Sequence, residues 1–140
     1  MNTVKVMLVD DEVDFTEILQ KRMKKRNIDT LIANSGKAAI SLIKKEKIDV
    51  VVLDMKMPDL DGIQTMKELK KINPLLEVIM LTGHASLGIA KEGIELGAFD
   101  YLMKPIDTDS LIFKIQDAYK RKILQEEKID SIKEIIKSRS

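Results

Sequence analysis

Residues 49–62 read Asp49-Val50-Val51-Val52-Leu53-Asp54-Met55-Lys56-Met57-Pro58-Asp59-Leu60-Asp61-Gly62. Four aliphatic residues in a row, three of them β-branched, suit a strand buried on both faces, as in a parallel sheet covered by helices. The run stops abruptly at a carboxylate, and the Asp-Leu-Asp-Gly that follows is turn chemistry before a helix. The same organisation recurs on either side. Val4 to Val9 runs into Asp10 and Asp11, Val78 to Leu81 into Thr82, and Ala98 to Met103 into Lys104, while Thr30 to Ala33 is a further short apolar run. Numbered in order, these predict strands β1 (4–9), β2 (30–33), β3 (49–53), β4 (78–81) and β5 (98–103).

Helical spacing fills the intervals. Phe15, Ile18, Leu19 and Met23 mark α1; Ala39, Leu42 and Ile43 mark α2; Ile63, Met66 and Leu69 mark α3. Asn34-Ser35-Gly36 opens α2, Asn73-Pro74 ends α3, and Gly97 closes α4. Five strand–helix alternations with right-handed crossovers predict a doubly wound α/β domain with helices on both faces of a parallel sheet. Strand order does not follow from periodicity. The last helix, α5, runs from Thr108 to about Lys137 without Gly or Pro. Its 4,3 seam of Leu111, Ile115, Ala118, Lys122, Gln125, Ile129, Ile132 and Ile136 lapses at Lys122 and Gln125. A partly helical frayed tail and a short coiled coil or partner helix are both open readings of it.

The bulk composition narrows the function. A chain of 140 residues with 44% hydrophobic content fills one core. Lys and Arg number 24 against 23 Asp and Glu, so no overall field draws the chain to nucleic acid or an anionic membrane. Residues 120–140 carry seven Lys/Arg against four Asp/Glu, too mild an excess to establish DNA contact. The absence of cysteine excludes thiol catalysis and thiolate metal sites and fits a reducing compartment. No run approaches the roughly 18 apolar residues that span a bilayer, and no signal peptide is readable, so a cytoplasmic location is expected.

In a parallel sheet every strand ends on one edge, so Asp10, Asp11, Asp54, Thr82 and Lys104 meet in one crevice. Three carboxylates there repel by about 4 kcal/mol per pair at close range. Lys104 and a hard divalent cation such as Mg²⁺ are the natural compensation. With the incoming oxygens neutralised, Asp54 can attack a phosphoryl group to give an acyl phosphate. Taken singly, the residues have plainer readings. Asp10 or Asp11 can cap α1, Lys104 can be a solvated lysine, Thr82 a turn residue, His84 an exposed loop residue, and Tyr101 a half-buried aromatic. Asp54 resists such a reading, because α3 begins near Gly62, beyond capping range.

These motifs together resemble the receiver domain of bacterial two-component response regulators. Asp10-Asp11, Asp54-Met-Lys-Met-Pro-Asp-Leu-Asp-Gly62, Leu81-Thr-Gly-His-Ala85 and Tyr101-Leu-Met-Lys104-Pro105 carry the likeness, which covers residues 4 to about 120. The Thr-Gly-His-Ala and Gly-Ala-Phe-Asp-Tyr-Leu-Met-Lys-Pro stretches are most similar to receivers of the nitrogen-regulation class. The resemblance implies a flavodoxin-like (βα)5 fold with strand order 2-1-3-4-5, and Asp54 as acceptor of phosphate from a sensor histidine kinase or phosphotransfer protein. It implies Mg²⁺, with Mn²⁺ as an alternative, held by Asp11, Asp54 and the backbone carbonyl of Lys56, with Asp10 acting through water. It assigns phosphate binding to Lys104, switching to Thr82 and Tyr101, and tuning of phosphoryl loss to Lys56 and His84. It also makes Lys104–Pro105 a candidate cis peptide. The expected organisation is a receiver over residues 1–121 and a helical extension over 122–140, acting as a stand-alone receiver or as the front of a longer regulator. An effector, or a second copy, is expected on the α4-β5-α5 face and the C-terminal helix.

Three rivals fit less well. A haloacid dehalogenase-type phosphohydrolase wants a second Asp two residues after the nucleophile, where Lys56 stands. A flavin carrier wants a phosphate cradle after β1, where Asp10-Asp11-Glu12 repels phosphate. A receiver that no longer takes phosphate lacks motivation with every site residue present.

Overall fold

The structure, a computed structural model, describes residues 3–83 and 87–139. Its elements are β1 (Lys5–Val9), α1 (Val13–Lys25), β2 (Asp29–Ala33), α2 (Gly36–Lys45), β3 (Val50–Asp54), α3 (Gly62–Ile72), β4 (Glu77–Thr82), α4 (Leu87–Glu95), β5 (Asp100–Met103) and α5 (Thr108–Arg139). The strands pair in parallel in the order β2-β1-β3-β4-β5. This is the doubly wound, flavodoxin-like arrangement.

The period of two along each strand divides the core between the faces. Met7, Val9, Val51, Leu53, Val78 and Met80 meet Ala39 and Ile43 of α2, Met66 and Leu69 of α3 and Ala90 of α4. Val6, Leu8, Val50, Val52, Ile79 and Leu81 meet Leu19 and Met23 of α1 and Leu111, Ile112, Ile115 and Ala118 of α5. The central strands β3 and β4 are buried throughout, which is why they read as continuous apolar runs. β5 differs from its expected form: only Asp100–Met103 is strand, and as an edge it is half-exposed.

Helix entrances are fixed by short polar side chains. Ser35 Oγ accepts from the Ala38 amide and Asp61 Oδ1 from the Gln64 amide, capping α2 and α3. Asp59, which reads as part of the turn into α3, instead accepts from the Gly36 and Lys37 amides and so serves the start of α2. The Lys37 amide bond is the main cause holding its carboxyl below the usual range. At Gly97 the backbone enters the left-handed region (φ 108), which closes α4.

Gly62 is required for space. A Cβ there would lie 2.4 Å from the Met55 Cα, a backbone atom that cannot swing aside. Gly62→Ala is expected to cost about 1–3 kcal/mol in urea unfolding. Because Met55 follows Asp54 directly, the strain should also reach the strand edge.

The C-terminal helix is one continuous rod of 32 residues, which overturns the frayed reading. Its seam does not lapse at Lys122 either. That residue is buried, 4% exposed, with Nζ donating to Asp49 Oδ1 at 3.0 Å and paired with Glu126. Asp49, just before β3, also accepts from the Lys5 amide. One residue earlier, Arg121 pairs with buried Glu77 at the start of β4 and lies over the Phe99 ring. Adjacent residues thus tie α5 to the starts of two central strands. From Leu124 onward the helix is mostly exposed, including Leu124, Ile129, Ile132, Ile135 and Ile136.

Candidate functional site: an acidic crevice at the strand ends

β1 and β3 are neighbours in register, Val9 opposite Leu53, so the residues that follow them converge. Carboxylate oxygens of Asp10, Asp11 and Asp54 lie within 4.8 Å of one another. Asp11 and Asp54 line an open cleft of about 670 Å³ together with Lys56, Thr82 and Lys104. Asp10 is fully buried, while Asp11 is exposed. Neither caps α1 through its side chain: Glu12 is the N-cap, and Asp10 Oδ1 accepts from the Glu12 amide at 2.9 Å.

Asp54 ends β3 with 7% exposure, its Oδ1 accepting from the Lys56 amide at 3.2 Å. Burial is the main influence on its carboxyl and pushes the pKa up to about 6. The Asp10 and Asp11 charges add to this, while the Lys56 amide bond and the Lys104 charge oppose it. Lys104 is no solvated surface lysine. Its Nζ donates to Asp10 Oδ2 at 2.8 Å and Glu12 Oε1 at 3.2 Å, and lies 3.8 Å from Asp54 Oδ2. Burial works against its charge, but the Asp10 hydrogen bond and the surrounding carboxylates prevail and raise its pKa.

Thr82 ends β4, opposite Met103 of β5, and is 2% exposed. Its Oγ1 is the one buried side-chain polar atom among the described residues without a hydrogen-bond partner. A buried hydroxyl left unpaired costs about 1–3 kcal/mol. Tyr101, 39% exposed, stands apart from the crevice, beside Leu87, Ala90 and Ile94 of α4. The Lys104–Pro105 peptide is cis. His84 lies outside the described residues. Sequence reading missed Glu12 and Phe15, which also engage Lys104, the Phe15 ring centroid being 4.7 Å from Nζ. Only the charge of Glu12, next to Asp10-Asp11, hinted at either.

Hard oxygen donors this close together fit a divalent cation, and the cleft leaves room for a phosphoryl group beside it. Residues 6–116 match the response regulator receiver domain family. The chain belongs to this family. The receiver is 34% identical over 117 residues to the transcriptional regulatory protein ZraR of Escherichia coli K12, covering 84% of this chain and 26% of that protein. It is 33% identical over 123 residues to the regulatory protein AtoC of the same organism, covering 88% and 27%. It therefore spans about a quarter of the length of these curated relatives. Among solved structures it is similar to a response regulator receiver domain protein from Clostridium thermocellum, with TM-score 0.84, 35% identity and 87% and 98% of the two chains covered. NtrX from Brucella abortus gives TM-score 0.86 and 30% identity, covering 92% of this chain and 30% of that one. Receivers are signalling domains of two-component systems. Among the described residues no helix is long and apolar enough to cross a membrane.

Proposed function

We propose that this receiver is a phosphorylation switch in which Asp54 accepts a phosphoryl group from the phosphohistidine of a sensor kinase or phosphotransfer protein. The observation that carries this reading is the convergence of Asp10, Asp11 and Lys104 on the Asp54 carboxylate. An Asp54 oxygen attacks phosphorus, the bond from phosphorus to the donor imidazole breaks, and the imidazole leaves with the electron pair to take up a proton. Lys104 can give an N–H to a phosphoryl oxygen on Asp54. The unpaired Thr82 hydroxyl can donate to another, which gives the product a partner that the free carboxylate lacks. Asp11, Asp54 and the Lys56 carbonyl are the residues to hold Mg²⁺ or Mn²⁺ directly, and Asp10 through water. The cation, when bound, supplies positive charge that offsets the three carboxylates and the incoming phosphoryl oxygens. Lys56 and His84, each two residues beyond a site residue, are assigned to tuning phosphoryl loss.

The output surface in this reading is formed by α4, β5 and α5, where Tyr101 adjoins α4, together with the exposed length of α5. An effector or a second copy is the partner. We take residues 1–121 as the receiver and 122–140 as its helical extension, though Lys122 itself is anchored in the body. The switch is the same whether it acts alone or within a longer regulator, and a cytoplasmic setting suits a kinase partner.

Incubation with Mg²⁺ and acetyl phosphate is expected to give an acid-stable, base-labile phosphoryl adduct by intact mass. Asp54→Asn is expected to abolish it. An unmodified wild type, or an adduct that survives the substitution, rejects the assignment.

A further inference from the structure

Lys104 lines the cleft with Asp54 but is held closer to two other acids than to it. Its two short contacts, 2.8 Å to Asp10 and 3.2 Å to Glu12, both draw it toward the loop between β1 and α1, whereas Asp54 is 3.8 Å away. An ammonium has three N–H donors, and two are already committed. Phe15, on the first turn of α1, offers its ring to the same cation from that side.

Among the described residues Glu12 makes no other side-chain bond. It occupies the N-cap of α1 without capping it, and its carboxylate is bonded only to Lys104 among the described residues. Its side chain is 65% exposed, so the fold does not bury it for packing. We propose that Glu12 is a positioning residue that holds Lys104 back from Asp54 in the resting receiver, so that phosphoryl uptake requires Lys104 to exchange Glu12 for a phosphoryl oxygen. This rests on Asp54 being the phosphoryl acceptor. Asp10 stays bonded to Lys104 through the exchange, whereas Glu12, solvated and flexible, is the ligand free to let go. A phosphoryl group carries more charge than one carboxylate and outcompetes it.

The test compares wild type, Glu12→Gln and Glu12→Asp for the rate of adduct formation with acetyl phosphate, at Mg²⁺ saturating for each. Glu12→Gln removes the charge; Glu12→Asp keeps it but shortens the side chain by one methylene, out of reach of Lys104. An exposed pair of this kind corresponds to a change of up to about fivefold. Both variants are expected to form adduct about two- to fivefold faster, through the limiting rate rather than the donor concentration at half-saturation. The advantage over wild type is expected to shrink as ionic strength rises, since salt screens the contact. A Glu12→Asp rate equal to wild type beside a faster Glu12→Gln overturns the proposal, because long-range repulsion of an anionic donor then explains the effect. Equal rates for all three overturn it as well while leaving the Asp54 assignment intact. A wild type without adduct rejects that assignment and this inference together.

Discussion

Lys122→Ala is expected to destabilise the protein by about 3–5 kcal/mol, a large part of the stability of a small domain. The side chains of Lys122 and Asp49 are 5% and 10% exposed, and the ammonium meets the carboxylate at 3.0 Å. Attraction of this kind repays little beyond the cost of drying the two charges, so the intact pair adds little net stability. Removing one member is different, because Asp49 stays buried with only the Lys5 amide to satisfy it. Glu126 is open enough to be rehydrated. The double variant Asp49→Asn with Lys122→Met leaves an acceptor for the Lys5 amide and no buried charge, and is expected to cost much less than the sum of the single changes. Urea unfolding of the four proteins gives the coupling. The exposed Arg26–Asp109 pair is the control, and its loss is expected to change stability by less than about 1 kcal/mol. Additive effects at residues 49 and 122 would contradict the pairing.

The second large effect is at Asp54 and depends on pH. In the fold its pKa rises from 3.8 to about 6, chiefly through burial. Between those values the folded chain holds a proton that the unfolded chain has released. Stability contributed by this group is therefore fully present below about pH 4 and is lost as pH rises through about 6. The shift corresponds to at most about 3 kcal/mol. In a buffer without divalent cations, Asp54→Asn is expected to be more stable than wild type by about 1–3 kcal/mol at pH 8, with the difference vanishing near pH 4. Mg²⁺ is expected to close the gap from the wild-type side by binding the ionised cluster. Urea unfolding across this range, with and without Mg²⁺, checks both points. A difference independent of pH would mean that lost charge is not its cause.

Much of this fold is legible in the sequence. β3 and β4 are buried on both faces, and that leaves a run of aliphatic residues that no solvent-facing position interrupts. The strand-end residues could be placed together because parallel strands share an edge, a rule that needs no distances. Periodicity, however, reports which face a residue occupies and never its partner. Lys122 falls on the apolar face of α5 and reads there as an interruption; the acid that makes it a core residue is Asp49, far away in sequence. Asp59 reads as local turn chemistry but bonds the amides of α2, in a different loop. The contacts of Glu12 and Phe15 with Lys104 are illegible in the sequence for the same reason, since they depend on where Lys104 Nζ comes to rest. β5 is shorter than its apolar run because Ala98 and Phe99 pack against the body ahead of the paired residues, with the Phe99 amide donating to the Val78 carbonyl at 2.7 Å as the lead-in to the strand.

The paired anchors of α5 have a mechanical consequence. Arg121 and Lys122 grip the edge of the sheet opposite Asp54, and the helix then continues from Leu124 to Arg139, roughly 24 Å at an α-helical rise. A rod fixed at its root works as a lever. Tilting α5 by about 10° against β3 and β4 moves its tip by about 4 Å, a gain that follows from the helical rise and needs no rearrangement along the rod.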